Sequence, residues 1–228
     1  MAEIFGHAPA RFAAVKDALA ASLDAGEELG CRFSLVQAGE TVLDLWAGFA
    51  DRKRTRPFDE TTLTAIFSTT KALAALMAAR AVDQGKLDYA QTVASLWPAF
   101  AQAGKGSITV EQLLSHQAGL SGLPEPMDPA DWFDWDLICG RLAAMAPLWP
   151  PGSASGYHPI TFGYLAGEVF RRADGRTMGT ALRDLAGPLG LDLWIGLPDS
   201  EAGRVAELQR PNALPAFGHQ NPATKAAF

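Results

Sequence analysis

Ile66-Phe-Ser-Thr-Thr-Lys71-Ala-Leu-Ala-Ala-Leu-Met-Ala-Ala-Arg80-Ala-Val82 is the stretch from which the rest of the chain is read. From Ala72 to Val82 every residue except Arg80 is apolar, and a helix that is apolar on every side is a buried one. The chain is therefore expected to thread its core here, with Gly85 ending the helix. Ser68 and Lys71 stand three apart at its start, a spacing that puts their Cβ atoms about 5–6 Å apart on one helical face. The lysine amine can thus reach the serine hydroxyl. A serine becomes a nucleophile only beside a base, and a lysine with a pKa near ~10.4 is a poor base at neutral pH. Burial and the positive end of the helix dipole both favour the neutral amine. The same helix start offers the Ser68 backbone N–H to a developing oxyanion.

Taken alone, the tetrad is weak. With 10 Ser and 6 Lys in 228 residues, chance gives a Ser-x-x-Lys in about one such chain in four. Ser68 as a helix N-cap and Lys71 as a snorkelling first-turn residue explain the same letters.

Upstream, Phe12, Val15, Leu19 and Leu23 recur at helical spacing within residues 10–25. Phe33–Gln37 and Thr41–Ala47 alternate as strands, and Ala38-Gly-Glu40 between them predicts a hairpin turn. The basic run Arg52-Lys-Arg-Thr-Arg56 lies among Asp51, Asp59 and Glu60 and reads as a solvated loop rather than a nucleic-acid patch. Downstream, Thr109 and Gln112 form a capping-box pattern ahead of Leu113 and Leu114. Residues 121–136, with three prolines, four aspartates and Trp132, Phe133 and Trp135, read as a long irregular loop with room for one short helical turn. Phe162, Leu165, Ala166, Val169 and Phe170 make an apolar stripe on a helix over 160–173 that stops at Asp174-Gly175. A short helix follows over 177–185, and Leu193-Trp-Ile-Gly-Leu197 reads as a strand.

A net charge of −6 argues against broad attraction to nucleic acid or to an anionic membrane. The longest apolar run, 72–79, is too short to span a bilayer, which takes about 20 residues. Cys31 and Cys139 encode neither a disulfide framework nor a zinc ribbon. With no stretch of signal-peptide type at the N-terminus, the cytoplasm is the expected location. His7, His116, His158 and His219 contain no His-x-x-x-His pair, and no Gly-x-Gly-x-x-Gly, P-loop or Gly-x-Ser-x-Gly elbow occurs. No metal or cofactor is expected.

Five stretches give the tetrad a context: Leu45-Trp-Ala-Gly-Phe-Ala-Asp51, Ile66-Phe-Ser-Thr-Thr-Lys-Ala72, Leu113-Leu-Ser-His-Gln-Ala-Gly-Leu120, Gly156-Tyr-His-Pro-Ile-Thr-Phe-Gly-Tyr164 and Gly187-Pro-Leu-Gly-Leu191. In kind and order they resemble the serine β-lactamase and penicillin-binding-protein superfamily, most closely its family VIII carboxylesterases. The resemblance implies an α+β fold of three layers (α/β/α), an antiparallel sheet flanked by helices with a helical subdomain inserted. Residues 1–228 would then be the N-terminal portion of one such domain, with 1–84 and 188–228 as the α/β part and 85–187 as the helical part. It implies Ser68 as the acylated nucleophile, Lys71 as its activating partner and Tyr157 as a phenol that relays or accepts the proton. Which of Lys71 and Tyr157 is the base stays open, because coupled groups titrate as a pair.

Two departures from the family pattern shape the expectation. Pro159 stands where the lactamases carry an asparagine two residues after the tyrosine, which favours small carboxylic esters over β-lactams. No counterpart of the third family motif is found, since Phe217-Gly-His219 is followed by Gln-Asn-Pro rather than by glycines. A continuation of the chain, or a second polypeptide, is then expected to complete the sheet. The alternatives are β-lactamase or D-amino-peptidase and transpeptidase chemistry, or a catalytically silent binding relative. His158 could face substrate or be packed, and Trp132, Phe133 and Trp135 could wall an acyl pocket or pack on the core.

Overall fold

The computed structural model describes residues 2–209, so Phe217-Gly-His219 lies outside the described residues. Two compact units are present, one of residues 2–66 and 197–209, the other of residues 67–196. Strands are antiparallel and confined to the first; the second is built from helices.

The first unit runs β1 (Ile4–His7), a 3₁₀ turn at Ala10–Phe12, α1 (Ala13–Asp24), β2 (Gly30–Gln37) and β3 (Glu40–Gly48). The expected hairpin is β2–β3, longer at both ends than its alternating core. Ala38 and Gly39 turn it with φ of 53° and 84°, both positive as a type I′ turn requires. Sequence reading missed β1, which is too short for an alternation signal. It pairs with β3, Ile4 opposite Ala47, so the sheet has three strands in the order β1-β3-β2 and not two. Every second residue of β3 (Leu43, Leu45, Ala47) is buried, as the strand period dictates.

The basic run is more than a solvated loop. Asp51 accepts the Thr55 and Arg56 N–H groups, and Arg56 donates to the carbonyls of Gly203 and Val205, tying that late segment to the first unit. Lys53 and Arg54 remain exposed.

The second unit holds α2 (Thr70–Asp83), α3 (Val93–Leu96), α4 (Val110–Leu114), α5 (Trp135–Ala144), α6 (Thr161–Asp174) and α7 (Met178–Ala186). Its boundaries are wider than 85–187, because α2 packs against α6 and α7. The capping box forms: Gln112 N–H donates to Thr109 Oγ1 at 3.2 Å and Thr109 N–H to Gln112 Oε1 at 3.1 Å. Gly175, at φ 85°, ends α6 in the left-handed conformation. Leu113, Leu120, Ile138, Leu142, Leu165 and Leu182 form the middle of one continuous core.

Three expectations are corrected. α2 is not buried all round: Ala74, Met77, Ala78 and Ala81 are covered, whereas Ala72, Ala75, Leu76 and Ala79 are exposed. Its uniform apolarity comes from alanine, the strongest helix former, as much as from burial. The loop expected through 136 stops earlier, because the Asp134 carboxylate caps α5 by accepting the Leu137 N–H at 3.0 Å. Leu193–Leu197 bends at Ile195 and Gly196, the latter at φ 81°, and forms no ladder. Its carbonyls face α7 instead, where Arg183 donates to Leu193 at 3.1 Å. No helix of the described residues is long and apolar enough to cross a membrane.

Candidate active site

Ser68 lies in the 3₁₀ turn Phe67–Thr69 that leads into α2. It does not cap the helix; the N-cap position is Thr69, whose side chain makes no capping bond. Phe67 is held at φ 45°, a left-handed conformation that costs a bulky residue about 1–3 kcal/mol. The next residue, Ser68, is exposed.

Lys71, one turn on, donates from Nζ to Ser68 Oγ at 3.2 Å and to the Pro159 carbonyl at 2.9 Å. The residue that departs from the family pattern thus supplies a backbone acceptor to the amine and no side-chain amide. The same Nζ lies 4.8 Å from the centre of the Tyr157 ring and 5.5 Å from that of Phe162. The Tyr157 phenol is held below its usual pKa, first by the Ser68 hydroxyl and then by the Lys71 amine. A hydroxyl, an amine and a phenol therefore meet at the start of α2. All three sequence-predicted site residues are together.

Tyr157 is carried by a loop laid along residues 115–120. Leu148 N–H donates to the Gly119 carbonyl, Gly152 N–H to Gln117, Gly156 N–H to His116 and Ser155 Oγ to Ser115. The Trp149 indole lies under Gly156, where a Cβ would come within 2.5 Å of it. Only glycine lets the chain pass at this height. His158 is the packed residue of its two readings. The Leu120 N–H donates to its Nε2 at 3.0 Å, so its proton sits on Nδ1, facing the Gly156 carbonyl. Burial pushes its pKa down to about 4, with the neighbouring His116 adding to the effect.

Ser68 and Lys71 open into a cleft of about 880 Å³ walled by Phe162, Tyr164, Trp132 and Trp135, with Phe133 exposed beside it. The aromatic wall and the packing are one arrangement. Trp135 lies across Gly167, where a Cβ would meet its ring at 2.6 Å, and donates from its indole N–H to Glu168 at 2.9 Å. Tyr164 packs on Trp135 and donates its hydroxyl to the Trp132 carbonyl. Burial alone would raise the Glu168 carboxyl, but hydrogen bonds from Arg171, Trp135 and Arg172 outweigh it and hold the pKa at about 2. Neither Glu168 nor His116 was singled out from the sequence. Glu168 reads there as one more polar position on an amphipathic helix. Among the described residues no group of three or more His, Cys, Asp or Glu is placed to hold a metal.

Comparison with known proteins identifies the family and the fold. The sequence model of the family described as Beta-lactamase matches residues 15–227. The chain is 38% identical over 216 residues to "Esterase/beta-lactamase LipL" of Mycobacterium tuberculosis, a match covering 93% of this chain and 50% of that protein. Among solved structures, a penicillin-binding-protein homologue from Caulobacter crescentus superposes with a TM-score of 0.95 at 66% identity, over 99% of this chain and 61% of that one. A family VIII carboxylesterase superposes with a TM-score of 0.85 at 47% identity, over 91% and 57%. The chain thus spans half the length of the curated relative and about three-fifths of these two solved structures.

Proposed function

Because the chain belongs to the beta-lactamase family, we propose that it is a serine hydrolase that cleaves small carboxylic esters through an acyl-enzyme on Ser68. The observation that carries this reading is the 3.2 Å contact between Lys71 Nζ and Ser68 Oγ, made beside the Tyr157 ring at the opening of an aromatic cleft. In the first half-reaction Ser68 Oγ attacks the ester carbonyl while its proton passes to the Lys71–Tyr157 pair. The tetrahedral oxyanion is met by the Ser68 N–H at the positive end of α2. As the C–O bond breaks, the pair returns that proton to the departing alcohol. Water, deprotonated by the same pair, then attacks the acyl carbon, releasing the acid and restoring Ser68.

Esters are favoured over β-lactams because Pro159 offers no side-chain amide to hold an acylamide group. The names of the relatives, one an esterase/beta-lactamase and one a carboxylesterase, support hydrolysis at an acyl carbon. A fluorophosphonate probe followed by peptide mass spectrometry is expected to place the adduct on Ser68 and to find none in Ser68→Ala. The protein is expected to hydrolyse a p-nitrophenyl butyrate and to leave a chromogenic cephalosporin largely intact. No adduct on Ser68 would leave a silent binding relative, and equal or faster cephalosporin turnover would replace the ester reading with a lactamase.

A further inference from the structure

We propose that His116 is a positioning residue that sets the Tyr157 phenol against Ser68 and Lys71 by gripping the backbone on both sides of it. The inference rests on the hydrolase reading for its consequence, and on geometry alone for its existence. The two N–H groups flanking Tyr157 end on this one residue. Gly156 N–H donates to the His116 carbonyl at 3.0 Å, and His158 N–H donates to His116 Nδ1 at 3.1 Å. His116 thus offers one backbone and one side-chain acceptor to the same loop segment. His116 does so at φ 64°, a conformation in which histidine is enriched among non-glycine residues but which still carries strain. The ring then lies 4.9 Å from that of Tyr157, 5.3 Å from that of His158 and 5.0 Å from that of Phe162 on α6, centre to centre. The strain sits beside the phenol that the reaction uses and not at a loop tip.

The grip has a chemical condition. An Nδ1 that accepts a hydrogen bond carries no proton, so the ring is neutral with its proton on Nε2. An imidazolium has no acceptor left and would release the His158 N–H. The groups facing the ring are the Lys71 amine from α2, the Tyr157 phenol and His158 from the loop, and the uncharged Phe162 from α6. Burial, and then the positive charge of Lys71, keep His116 below its ordinary value of 6.5. The site therefore holds its own clamp in the gripping form at neutral pH.

Asparagine carries an acceptor at the same δ position and tolerates the left-handed region, whereas alanine removes the acceptor. Tyr157 can be followed without any substrate by its ultraviolet titration, assigned through its loss in Tyr157→Phe. His116→Asn is expected to keep the depressed Tyr157 titration and a near wild-type rate of fluorophosphonate labelling at Ser68. In folded His116→Ala, the Tyr157 titration is expected to return toward its ordinary ~10 and labelling to fall about 100-fold. Unchanged titration in folded His116→Ala overturns the proposal. A shifted titration, in a protein whose wild type takes up no probe, upholds the clamp and removes the hydrolase reading instead. Should His116→Ala not fold, the labelling profile below pH 6.5 decides: wild type is expected to lose rate relative to His116→Asn as the imidazole protonates, and parallel profiles overturn the proposal.

Discussion

β2 and α6 are both regular elements with apolar residues at the period of their own structure, and they finish in opposite surroundings. Among the described residues β2 pairs with β3 alone and leaves Phe33 and Val36 exposed. α6 packs against α2, α3, α4, α5 and α7, and Phe162, Leu165, Ala166, Val169 and Phe170 are buried among them. A helix satisfies its hydrogen bonds from within, so neighbours need only cover its side chains. A strand at a sheet edge keeps a row of N–H and C=O groups that only another strand can pair. Ser68, Lys71, Tyr157 and His116 all lie in the second, helical unit. The geometry among these four residues is therefore set within the helical unit.

The sharpest way to break that contrast is a matched pair of substitutions. Leu165 is 1% exposed and Val36 is 60% exposed. Leu165→Ala is expected to destabilise the helical unit by about 2–5 kcal/mol, through lost transfer energy and an unfilled cavity. Val36→Thr is expected to change stability by no more than about 0.5 kcal/mol. Urea denaturation followed by hydrogen exchange at amides of each unit reads both. Equal costs would mean that β2 is covered in solution.

A second test uses the charge buried under the cleft wall. Glu168 is almost wholly buried and takes hydrogen bonds from Trp135, Arg171 and Arg172. Removing one partner of a buried ion cluster strands the others. Because Arg171 and Arg172 are partly exposed, the cost of Glu168→Gln is expected near the low end of the range for buried pairs, about 3 kcal/mol at pH 7. The sign with pH follows from the lowered carboxyl, whose ordinary value is 4.5 and whose folded value is about 2. Below 4.5 the unfolded chain takes up a proton that the folded one refuses, so the contribution is full above pH 4.5 and fades as the pH falls toward 2. Wild type and variant should thus converge in acid. A gap as wide at pH 3 as at pH 7 would show that the carboxylate's charge is not what the cluster uses.

Much of this was legible in the letters, for reasons that differ by element. The 160–173 stripe, the Thr109–Gln112 box and the hairpin were readable because each is fixed by contacts within a few residues. β1 was not, since Ile4-Phe-Gly-His7 becomes a strand only through β3, some 40 residues away in sequence. α5 was hidden by the prolines and aspartates before it, although Asp134 held the N-cap signal. The supposed strand at 193–197 shows the converse: a β-rich composition forms no ladder where its carbonyls face α7. In the site, Ser68 and Lys71 share one helical turn and could be paired from spacing alone. Tyr157 joined them only through family resemblance, because the turn that aims it is built by His116 and Trp149 across the fold. His116 carried no signal of its own, since a φ of 64° is a property of the folded backbone and not of the residue type.

The smallest expected effect lies in the turn of the hairpin. Ala38 holds φ 53° ahead of Gly39 at 84°, and an L-residue with a Cβ pays about 1–2 kcal/mol to sit in that region, whereas asparagine offsets part of it by local hydrogen bonding. Asn-Gly is the preferred pair for this turn. Ala38→Asn is therefore expected to stabilise the sheet unit by about 0.5–1 kcal/mol, read as slower hydrogen exchange along β2 and β3. The helical unit supplies the control. If it unfolds on its own, amides of α6 should exchange as in wild type, and Ser68 should label at an unchanged rate. If α6 gains the same protection as β3, the two units open together. The strand edge would then limit the site after all, through the population that is folded.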